Sequence, residues 1–544
     1  MKKIISYLVV LLFAAQSLTA QNVFSLNTIG YLPQYPKVAT VSVETQTFSL
    51  VDVQSGEIVY SSDALGPFAQ ANVEKTVWKL DFSAFKKEGT YRLETNNGNV
   101  SPVFSIENGV YKHAFETAFR AFYLWRCGMA VEAEYNGQTY SHEACHLEDA
   151  YLDYVSEKGI RKDGIGGWHD AGDYGKYVVN AGVSTGIMFF AWSHFADLLE
   201  DYTFDLPETA PGFPDFLKEL KWETDWLLKM QYPDGSGRIS HKLTRIDFSS
   251  FIMPEDDKEK RYFTQWSSAA TANFAAALAQ ASRFFRPYDA QYADICLAAA
   301  EKSYRFLSQN PEYKPFEQGD FNTGGYQSRD MDDRLWAAAE LWESTGKEQY
   351  LDDFEKRLDN MSTMVDQDWD WPNVRNLAVF TYLQSNRDGR NVSIEQKAKN
   401  ALIAVADSIV KMAAGDVFRR PLGSVFYWGC NGTVARQVLN LQMAYRFNPD
   451  KAYIEAALDA VHHLFGSNSY GRSFVTGLGY NPPMYPHDRR SGADNIGEPW
   501  PGYIVGGGQT ATNWVDEEAS YSTNEIAINW QAALVYALAG FVNP

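Results

Sequence analysis

Two aspartates stand three positions apart in the stretch GWHDAGDYGKY, which runs from residue 167 to 177. Carboxylates that lie close together can exchange protons with water or with a bound molecule, so Asp170 and Asp173 are candidates for acid–base chemistry. The apolar helical pattern VVNAGVSTGIMFFAW follows directly. Asp173 could equally be a helix N-cap, because a carboxylate satisfies the free N–H groups of a first turn. The motif alone does not decide between the two.

A third acid has a similar setting near the end of the chain. Glu525 opens the apolar pattern IAINWQAALVYALAGFV after a polar turn that contains Tyr521 and Ser522. Ser522 lies three positions before Glu525, which is the spacing of a capping box, so a purely structural role is the alternative. A further segment, SFVTGLGYNPPMYPHDRRSGAD, carries His487 and Arg489 among glycines and prolines. Such a loop can hold hydrogen-bond donors at fixed positions.

Composition restricts the partners that the chain can have. Its 544 residues carry a formal net charge of −20 and a sequence pI of about 4.9. Such a charge repels polyanions, so we expect neither nucleic acid nor an anionic membrane surface as a partner. Aromatic residues make up 15% of the chain, including 15 Trp and 32 Tyr. Flat amphipathic rings stack well on ligands with apolar faces, and sugar rings are one such ligand.

The first twenty residues, MKKIISYLVVLLFAAQSLTA, have the layout of a secretory signal. Two lysines precede an apolar run, and small residues follow up to Ala20. The apolar run is too short to span a bilayer comfortably, and no later run of about eighteen apolar residues offers a membrane span. The sequence therefore predicts export, to the periplasm or the cell exterior, after cleavage near Ala20.

The hydrophobic period changes once along the rest of the chain. Residues 21–107 contain short alternating runs such as KVATVSV and GTYRLET between turns such as QSGE and NNGN, which predicts a small antiparallel β-sandwich. Residues 108–544 carry many apolar stretches with helical spacing, for example SAATANFAAALAQASRFF, which predicts a nearly all-α domain. The loops 229–264, 309–330 and 466–522 lack this period. A helical scaffold would hold its functional groups on such loops.

The motifs occur in an order that resembles the family 9 glycoside hydrolases, a cellulase family with an (α/α)6 barrel. The resemblance rests on NTIGYLPQYPKVATV, GGWHDAGDYGKY, LLKMQYPDGSGRISHKLT, YWGCNG, SFVTGLGYNPPMYPHDRRS and the segment around Glu525. It implies a mainly α fold in which the barrel, over residues 108–544, follows an immunoglobulin-like β-sandwich over 21–107. Gln531 stands where the glutamate signature usually has Asn, but it lies six positions beyond the acid.

The resemblance implies a secreted, inverting hydrolase of β-1,4-glucosidic bonds in cellulose-like glucans, in the first place an endo-β-1,4-glucanase. An exo-acting cellodextrinase or β-glucosidase of the same family is the alternative, because the length of the cleft is not visible in the sequence. A noncatalytic glycan-binding protein is an alternative from another class, and the presence of Asp170, Asp173 and Glu525 argues against it. We expect a β-glucan substrate, no organic cofactor and a monomer.

Inverting hydrolysis needs one protonated carboxyl group at the leaving oxygen and one carboxylate that activates water across the sugar ring. By resemblance, Glu525 is the acid, Asp173 is the base, and Asp170 is a second carboxylate that orients the water. Because like charges raise each other's pKa, the Asp170–Asp173 pair predicts a compensating donor or cation nearby. The residues that resemble sugar-binding groups or could stack on sugars are His241, His487, Arg489, Trp428 and Tyr521.

Two cysteines and two histidines near the first motif form another group: Cys127, Cys145, His146 and His169. In an exported protein, a disulfide between Cys127 and Cys145 is the ordinary expectation. Two thiolates and two imidazoles also make a structural zinc set, and the branch of the family that the chain resembles has a zinc site of this arrangement. With four protein ligands, such a site would fix the catalytic loop and would not serve a zinc-dependent hydrolase. The other candidates are His142 as a substitute ligand and the expected buried thiols Cys296 and Cys430.

The resemblance also implies a calcium site. In TGGYQSRDMDDRLW, Asp332 and Asp333 match the calcium-binding acids of the family, and Asp370 in DWDW would be a distant ligand. Oxygen ligands suit calcium. Acids that open a helix are also favoured by the helix dipole alone, so both interpretations stay open.

Overall fold

The computed structural model of the chain describes residues 23–543, and the predicted signal peptide lies outside this range. Nine strands between Phe24 and Ile106 form two sheets whose inner faces share one core. The strands are β1 (Phe24–Ser25), β2 (Gly30–Tyr31), β3 (Val38–Val41), β4 (Thr47–Asp52), β5 (Ile58–Asp63), β6 (Leu65–Gln70), β7 (Lys75–Asp81), β8 (Gly89–Thr95) and β9 (Phe104–Ile106). One sheet has the order β1-β3-β7-β6, and the other has the order β2-β9-β8-β4-β5.

Alternating burial builds the core of this sandwich. In β8, Tyr91, Leu93 and Thr95 are buried, whereas the residues between them are only partly covered. Leu93 pairs with Leu50 of the antiparallel strand β4, and both side chains are fully buried. Side chains that repeat every second residue face one side of a sheet, which is why the GTYRLET pattern predicts a half-buried strand. The predicted β-sandwich is confirmed.

Fourteen α-helices follow within the described range. They are α1 (Lys112–Leu124), α2 (Val178–Leu199), α3 (Asp215–Lys229), α4 (Ser268–Phe285), α5 (Ala290–Gln309), α6 (Met331–Thr345), α7 (Glu348–Asp359), α8 (Arg375–Gln384), α9 (Val392–Gly415), α10 (Cys430–Phe447), α11 (Lys451–Leu464), α12 (Arg489–Ala493), α13 (Tyr521–Asn524) and α14 (Ile528–Ala539). Helices α12 and α13 are short. The other twelve alternate along the chain between an outer and an inner position.

The inner helices are α2, α4, α6, α8, α10 and α14, and neighbours in this order pack together until α14 returns to α2. Helix α8 meets α10 where Asn376 Nδ2 donates to Asn440 Oδ1 at 3.0 Å. All twelve residues of α14 are buried, whereas the outer helix α7 buries only four of its twelve. A helix that is apolar all round must be covered on every side, and an amphipathic one needs only one covered face. The predicted (α/α)6 barrel is confirmed.

Glycines let the inner helices approach closely. A Cβ atom on Gly182 of α2 would lie 2.6 Å from Asn273 Oδ1 on α4, and one on Gly186 would lie 2.8 Å from the Trp336 indole on α6. Both distances are shorter than van der Waals contact, so only glycine fits at these crossings. The pattern VVNAGVSTGIMFFAW therefore encodes both a helix and the tight contacts of that helix with two neighbours.

The sandwich joins the barrel through polar contacts. Asn27 Nδ2 donates to Tyr111 Oη at 3.0 Å, and that hydroxyl donates to the carbonyl of Gly30 at 3.0 Å. The Thr28 amide donates to the Phe465 carbonyl at 3.0 Å at the end of α11. These contacts fix the start of α1 and the end of α11 against the first strands of the sandwich.

Short strands cross the loops that lead into the inner helices. They are β10 (Val131–Tyr135), β11 (Gln138–His142), β12 (Lys176–Tyr177), β13 (Lys242–Thr244) and β14 (Tyr262–Phe263). Strand β13 pairs with β12 on one side and β14 on the other, and β12 runs directly into α2. The GWHDAGDYGKY segment is thereby tied to the loop that carries His241. Across residues 23–543, every helix is too short or too polar to cross a membrane.

Candidate active site

A cavity of about 360 Å³ lies where loops enter the inner helices. Several of its lining residues directly precede the first residue of an inner helix or belong to the first turn of one. The lining residues are Asp170, Ala171, Asp173, Tyr177, Phe248, Gly324, Gly325, Tyr326, Asp370, Trp371, Trp428, Glu525, Ala527, Asn529 and Trp530. The structure thus brings the three predicted catalytic acids to one cavity, with three tryptophans and two tyrosines around them.

Backbone pairing joins the two acidic segments. Ala171 and Ala527 form an antiparallel bridge, and the Ile528 amide donates to the Asp170 carbonyl at 2.9 Å. The Glu525 carbonyl accepts from the Gly506 amide at 2.8 Å, which links the glutamate to the long loop that precedes it. The relative positions of the acids are therefore set by main-chain hydrogen bonds as well as by side chains.

Asp170 is a buried carboxylate with two side-chain donors. Its Oδ1 accepts from Asn180 Nδ2 at 2.8 Å, and its Oδ2 accepts from the Tyr326 hydroxyl at 2.5 Å. Burial and the adjacent Asp173 carboxylate raise the pKa of Asp170 well above its usual range, although both donors act in the opposite direction. The donors that the like-charge pair predicts are therefore present, and they are neutral groups.

Asp173 is held from within its own loop. Its Oδ2 accepts from the Gly175 amide at 2.9 Å and from the Tyr177 hydroxyl at 3.0 Å. Helix α2 begins at Val178 after Tyr177, and no side chain caps it. The N-cap alternative for Asp173 is wrong because Tyr177 is the N-cap residue, and Asp173 lines the cavity.

Glu525 lies between the short helix α13 and the inner helix α14, half-buried in the cavity wall. The residue before α14 is Ala527, which makes no side-chain cap, so the capping-box alternative with Ser522 is wrong. Burial, with the negative charges of Asp173 and Asp170, raises the pKa of Glu525 well above 4.5. The Arg489 guanidinium and the Trp428 indole oppose this effect only in part. The surroundings of Glu525 therefore favour its protonated form.

Aromatic rings extend from the cavity towards solvent. Trp428 lines the cavity and is 47% exposed, and Tyr521 beside it is 55% exposed. Their rings meet edge to face, with centroids 5.5 Å apart. Both predicted stacking residues are therefore accessible to a ligand, Trp428 within the cavity and Tyr521 next to it.

The structure does not bring His241 to the cavity. Its Nδ1 lies 2.8 Å from Ser267 Oγ, and its Nε2 lies 2.7 Å from the Gly325 carbonyl. The ring stacks on Phe316 at 4.1 Å and is buried, which lowers its pKa to about 3. Both ring nitrogens have protein partners in this structure, and contact of His241 with a sugar stays a prediction.

His487 and Arg489 lie behind the acidic segments. The His487 amide donates to the Asn524 carbonyl at 2.8 Å, and the side-chain Nδ1 lies 2.6 Å from the Glu518 carbonyl. Arg489 donates from Nη1 to the Gly172 carbonyl at 2.7 Å, between the two aspartates. Neither residue is among those that line the cavity. As placed, the two residues support the loops that hold Asp170, Asp173 and Glu525.

A second cluster lies directly beside the aspartate motif. Cys127, Cys145, His146 and His169 each place one ligand atom within 4.8 Å of the others, and all four side chains are buried. Both cysteines are free thiols, so the disulfide alternative is wrong. His142 is not among the four residues of the cluster, and its Nδ1 lies 2.7 Å from the Glu143 carbonyl.

The chemistry of this cluster fits a metal ion. Burial raises the pKa of the Cys127 thiol, but the hydrogen bond with Cys145 and the Lys176 ammonium outweigh burial and bring this pKa well below 9. His146 directs Nδ1 towards Cys127 Sγ at 3.6 Å and Nε2 towards Asp257 Oδ2 at 3.4 Å. A carboxylate on the outer nitrogen is how proteins orient a metal-binding histidine.

Comparisons with known proteins agree with both domains of the fold. The sequence model of the protein family described as glycosyl hydrolase family 9 matches residues 111–538. The family model described as cellulase N-terminal ig-like domain matches residues 19–99. The chain belongs to glycosyl hydrolase family 9. The predicted family, with its immunoglobulin-like N-terminal domain, is confirmed, and the protein is a glycoside hydrolase.

Similar family 9 proteins cover nearly the whole chain. Endoglucanase D of Acetivibrio thermocellus is 53% identical over 520 residues, which are 95% of this chain and 83% of that protein. A family 9 structure from Bacteroides ovatus is 34% identical with a TM-score of 0.90, covering 96% of this chain and 99% of that one. A Zn-binding triple mutant of the family 9 endoglucanase J30 is 32% identical with a TM-score of 0.87, over 94% and 99% of the two chains.

The predicted calcium ligands of this family 9 hydrolase do not converge. Asp332 Oδ2 accepts from the Val374 amide at 2.6 Å, and Asp333 Oδ1 accepts from Asn273 Nδ2 at 2.6 Å. Asp370 instead lines the cavity that also contains Asp170, Asp173 and Glu525, and it pairs with Arg436 at 2.6 Å. Each acid has a different partner in this structure, so the three residues do not form one cluster, and the calcium site stays a prediction. Asp332 and Asp333 occupy the first turn of α6, where the helix dipole favours them.

The sequence motifs did not identify several residues of the candidate active site. Tyr326, Trp371, Asn529 and Trp530 all line the cavity. Tyr326 adopts a left-handed backbone conformation, with φ of 42°, and contacts the Trp371 ring edge to face at 5.0 Å. The only sequence signal for this tyrosine was its place in a Gly-rich loop without helical period.

Proposed function

We propose that this family 9 hydrolase is an exported, inverting endo-β-1,4-glucanase that cleaves cellulose-like glucans. The observation that carries the proposal is the convergence of Asp170, Asp173 and Glu525 on one cavity flanked by exposed aromatic rings. The 53% identity to Endoglucanase D supports this activity over the exo-acting alternatives. The three carboxylates argue against a role in glycan binding alone.

Glu525 is the general acid in this proposal. Its raised pKa keeps the carboxyl protonated at a pH where an exposed glutamate would be ionised. As the bond from C1 to the glycosidic oxygen breaks, the Glu525 proton passes to that oxygen. The leaving chain then departs as a neutral alcohol, and Glu525 is left as a carboxylate.

Asp173 is the general base. The Gly175 amide and the Tyr177 hydroxyl orient its carboxylate, and both donate to Oδ2. The other oxygen, Oδ1, is the one that would accept the proton. A water molecule gives its proton to Asp173 while its oxygen bonds to C1 on the face opposite the leaving group. Asp170, fixed by Asn180 and Tyr326, helps to orient this water. The product therefore has the inverted, α-anomeric configuration.

Internal cleavage requires contacts on both sides of the bond that breaks. Trp371 and Trp530 line the cavity, and Trp428 with Tyr521 continues the aromatic surface into solvent. Rings of this kind stack on successive sugar units, which supports binding of a chain rather than of one terminal residue. This arrangement favours endo action over release of single glucose units.

Product analysis tests the proposal. The purified enzyme is incubated with carboxymethylcellulose, mixed-linkage glucan, xyloglucan and reduced cellohexaose, and the products are followed by viscosity, chromatography and anomer-resolved NMR. We expect fast loss of viscosity on at least one polymer and α-anomers as the first products. Glucose as the main product of the first turnovers would overturn the endo assignment, and β-anomers would overturn inversion.

We propose in addition that the Cys127, Cys145, His146 and His169 cluster holds one structural zinc ion. Four ligands leave no open coordination position, so the ion would supply rigidity rather than activate water. The ligand His169 precedes Asp170 in the chain, so the cluster would fix the backbone of the catalytic loop. Metal analysis of the purified protein tests this, since a metal-free folded protein would contradict it.

Export remains a proposal that rests on the first twenty residues. N-terminal sequencing of protein recovered outside the cytoplasm should begin just after Ala20, and an N-terminus that retains Lys2 and Lys3 would contradict cleavage there. Size-exclusion chromatography of the same material should give the elution volume of a monomer.

A further inference from the structure

Lys242 is a buried lysine on strand β13. Among the residues that the structure describes, the hydrogen-bond acceptors of its ammonium group all lie in one loop of the barrel. Its Nζ donates to Gln318 Oε1 at 2.8 Å, to Thr323 Oγ1 at 3.0 Å and to the Gly324 carbonyl at 2.7 Å. It also lies 3.3 Å from the Thr323 carbonyl. All these acceptors are neutral and belong to residues 318–324. We name residues 318–326 the tyrosine loop, because the segment ends at Tyr326.

The tyrosine loop is hydrogen-bonded to Asp170 directly and to Asp173 through Tyr177. Tyr326 donates to Asp170 at 2.5 Å from the end of the loop. The Gly324 amide donates to the Tyr177 hydroxyl at 3.2 Å, and that hydroxyl donates to Asp173 at 3.0 Å. One short segment thus reaches each carboxylate through a tyrosine.

Strand β13 and the residue that precedes it, His241, contact the tyrosine loop. Lys242 is the cross-strand partner of Tyr177, and the neighbouring His241 lies with Nε2 2.7 Å from the Gly325 carbonyl. His241 and Lys242 therefore contact the successive carbonyls of Gly325 and Gly324. Two glycines in sequence have few conformational restraints of their own, so the contacts from β13 must supply them.

We propose that Lys242 is a positioning residue that fixes the tyrosine loop and, through Tyr326 and Tyr177, the orientation of Asp170 and Asp173. The inference rests on the proposed function only for the naming of the two aspartates as the water-activating pair. Lys242 contacts neither the reacting atoms nor the cavity, since it is not among the lining residues.

Packing alone does not explain why a lysine occupies this buried position. The side chain is fully buried among the rings of Tyr177, Phe316 and Phe321, and burial lowers its pKa to about 7. Methionine would fill the same space without the cost of desolvating an ammonium group. The hydrogen bonds to the loop and the nearby negative charge of Asp173 offset this cost.

Replacement by methionine tests the proposal with two readouts. In Lys242→Met, kcat should fall by about 10- to 100-fold with KM changed much less, because misplaced catalytic groups cost rate even when the substrate still binds. Hydrogen–deuterium exchange should become faster in peptides that contain residues 318–326. The exchange measurement needs no substrate, so it decides the positioning role even if the proposed activity fails.

Lys37→Met is the matched control. Lys37 is also fully buried and also donates to neutral carbonyls, those of Pro33 at 2.8 Å and Tyr35 at 2.9 Å, but it lies in the β-sandwich. Its replacement should lower the melting temperature while the exchange of the tyrosine loop and kcat stay unchanged.

A double-mutant cycle separates action through the loop from a general loss of stability. If Lys242 acts through the tyrosine loop, Lys242→Met should reduce kcat much less in a Tyr326→Phe background than in the wild type. Full additivity, or unchanged exchange in residues 318–326 of a folded Lys242→Met variant, would overturn the proposal. Should Lys242→Met fail to fold, Thr323→Val removes one acceptor of the same ammonium, and the same two readouts apply to it.

Discussion

The backbone amide of Ile528 donates to the carbonyl of Asp170 at 2.9 Å, so the first residue of the last inner helix is hydrogen-bonded to the aspartate motif. This bond sits beside the Ala171–Ala527 bridge, two residues after Glu525. The barrel is thereby closed at the place where the proposed acid and the proposed base must face one substrate. Main-chain contacts therefore join the segment of Asp170 and Asp173 directly to the segment of Glu525.

Glu525→Gln should abolish the proposed activity and leave the fold intact. The amide keeps the size of the carboxyl group but has no proton to give to the leaving oxygen, so we expect kcat to fall by about 10²- to 10⁴-fold. Steady-state kinetics on a soluble β-glucan measures this, with circular dichroism as the check on folding. A variant with more than a tenth of the wild-type kcat would remove Glu525 from the acid role.

The raised pKa of Glu525 also gives a pH dependence with a defined sign. In the folded protein Glu525 keeps a proton that it releases in the unfolded chain near pH 4.3. The free energy of unfolding therefore decreases as pH rises from that value towards the pKa of Glu525 in the folded protein. Glutamine cannot ionise and escapes this cost. The melting temperature of Glu525→Gln, relative to the wild type, should therefore rise between pH 4 and neutral pH.

In the wild type, the same ionisation should switch off catalysis. The rate should fall as pH rises through the Glu525 pKa, because only the protonated carboxyl donates to the leaving group. A pH–rate profile of kcat measures this alkaline limb. If the limb is unchanged for substrates with a leaving group that needs no protonation, such as a nitrophenol, the assignment of that limb to Glu525 is wrong.

Asp173→Asn and Tyr177→Phe should differ in the size of their effect. Asparagine cannot take a proton from water, so we expect a loss of about 10²- to 10⁴-fold in kcat. Phenylalanine removes the 3.0 Å hydrogen bond to Asp173 and the 3.2 Å hydrogen bond from the Gly324 amide, but it leaves the Gly175 amide in place. Its loss in kcat should be about tenfold, in keeping with one hydrogen bond to a charged group. Equal losses would mean that Asp173 is not the base.

The barrel and the sandwich follow from periodicity, but the complete site does not. The inner helices are rich in apolar residues with helical spacing and the sandwich strands alternate, so the local sequence predicts both. Asp370 illustrates the limit, because its acidic neighbourhood resembles a calcium ligand, whereas in the fold it pairs with Arg436 of α10. His241 illustrates it again, since its partners Ser267 and Gly325 are known only once the loops have folded. Partners distant in sequence decide what such polar residues do.

The Cys/His cluster was visible in the sequence because its residue types are specific. We expect about one zinc per chain in the wild type and almost none in Cys145→Ser, measured by elemental analysis of dialysed protein. The melting temperature of this variant should fall by several degrees. Cys296→Ser is the control, because Cys296 is also a buried free thiol but lies on α5 outside the cluster. Equal metal content in the two variants would contradict the zinc proposal.

Gly432 on α10 makes room for Trp530, which lines the cavity. A Cβ atom at Gly432 would lie 2.3 Å from Trp530 Cδ1, and the indole is also backed by Gly429 and Gly506. Gly432→Ala should therefore push the ring out of place, at a cost of about 1–3 kcal/mol in stability. Because the displaced indole narrows or reshapes the cavity, KM for cellodextrins should rise as well.

Gly415→Ala at the end of α9 is the matched control for Gly432→Ala. A Cβ atom there meets nothing within 4 Å. The same substitution should raise stability there by about 0.4–1 kcal/mol, because alanine has less backbone freedom in the unfolded chain. Urea unfolding of both variants, with cellohexaose kinetics, measures the contrast. If both substitutions act alike on stability and on KM, the close contact between Gly432 and Trp530 does not set the position of the ring.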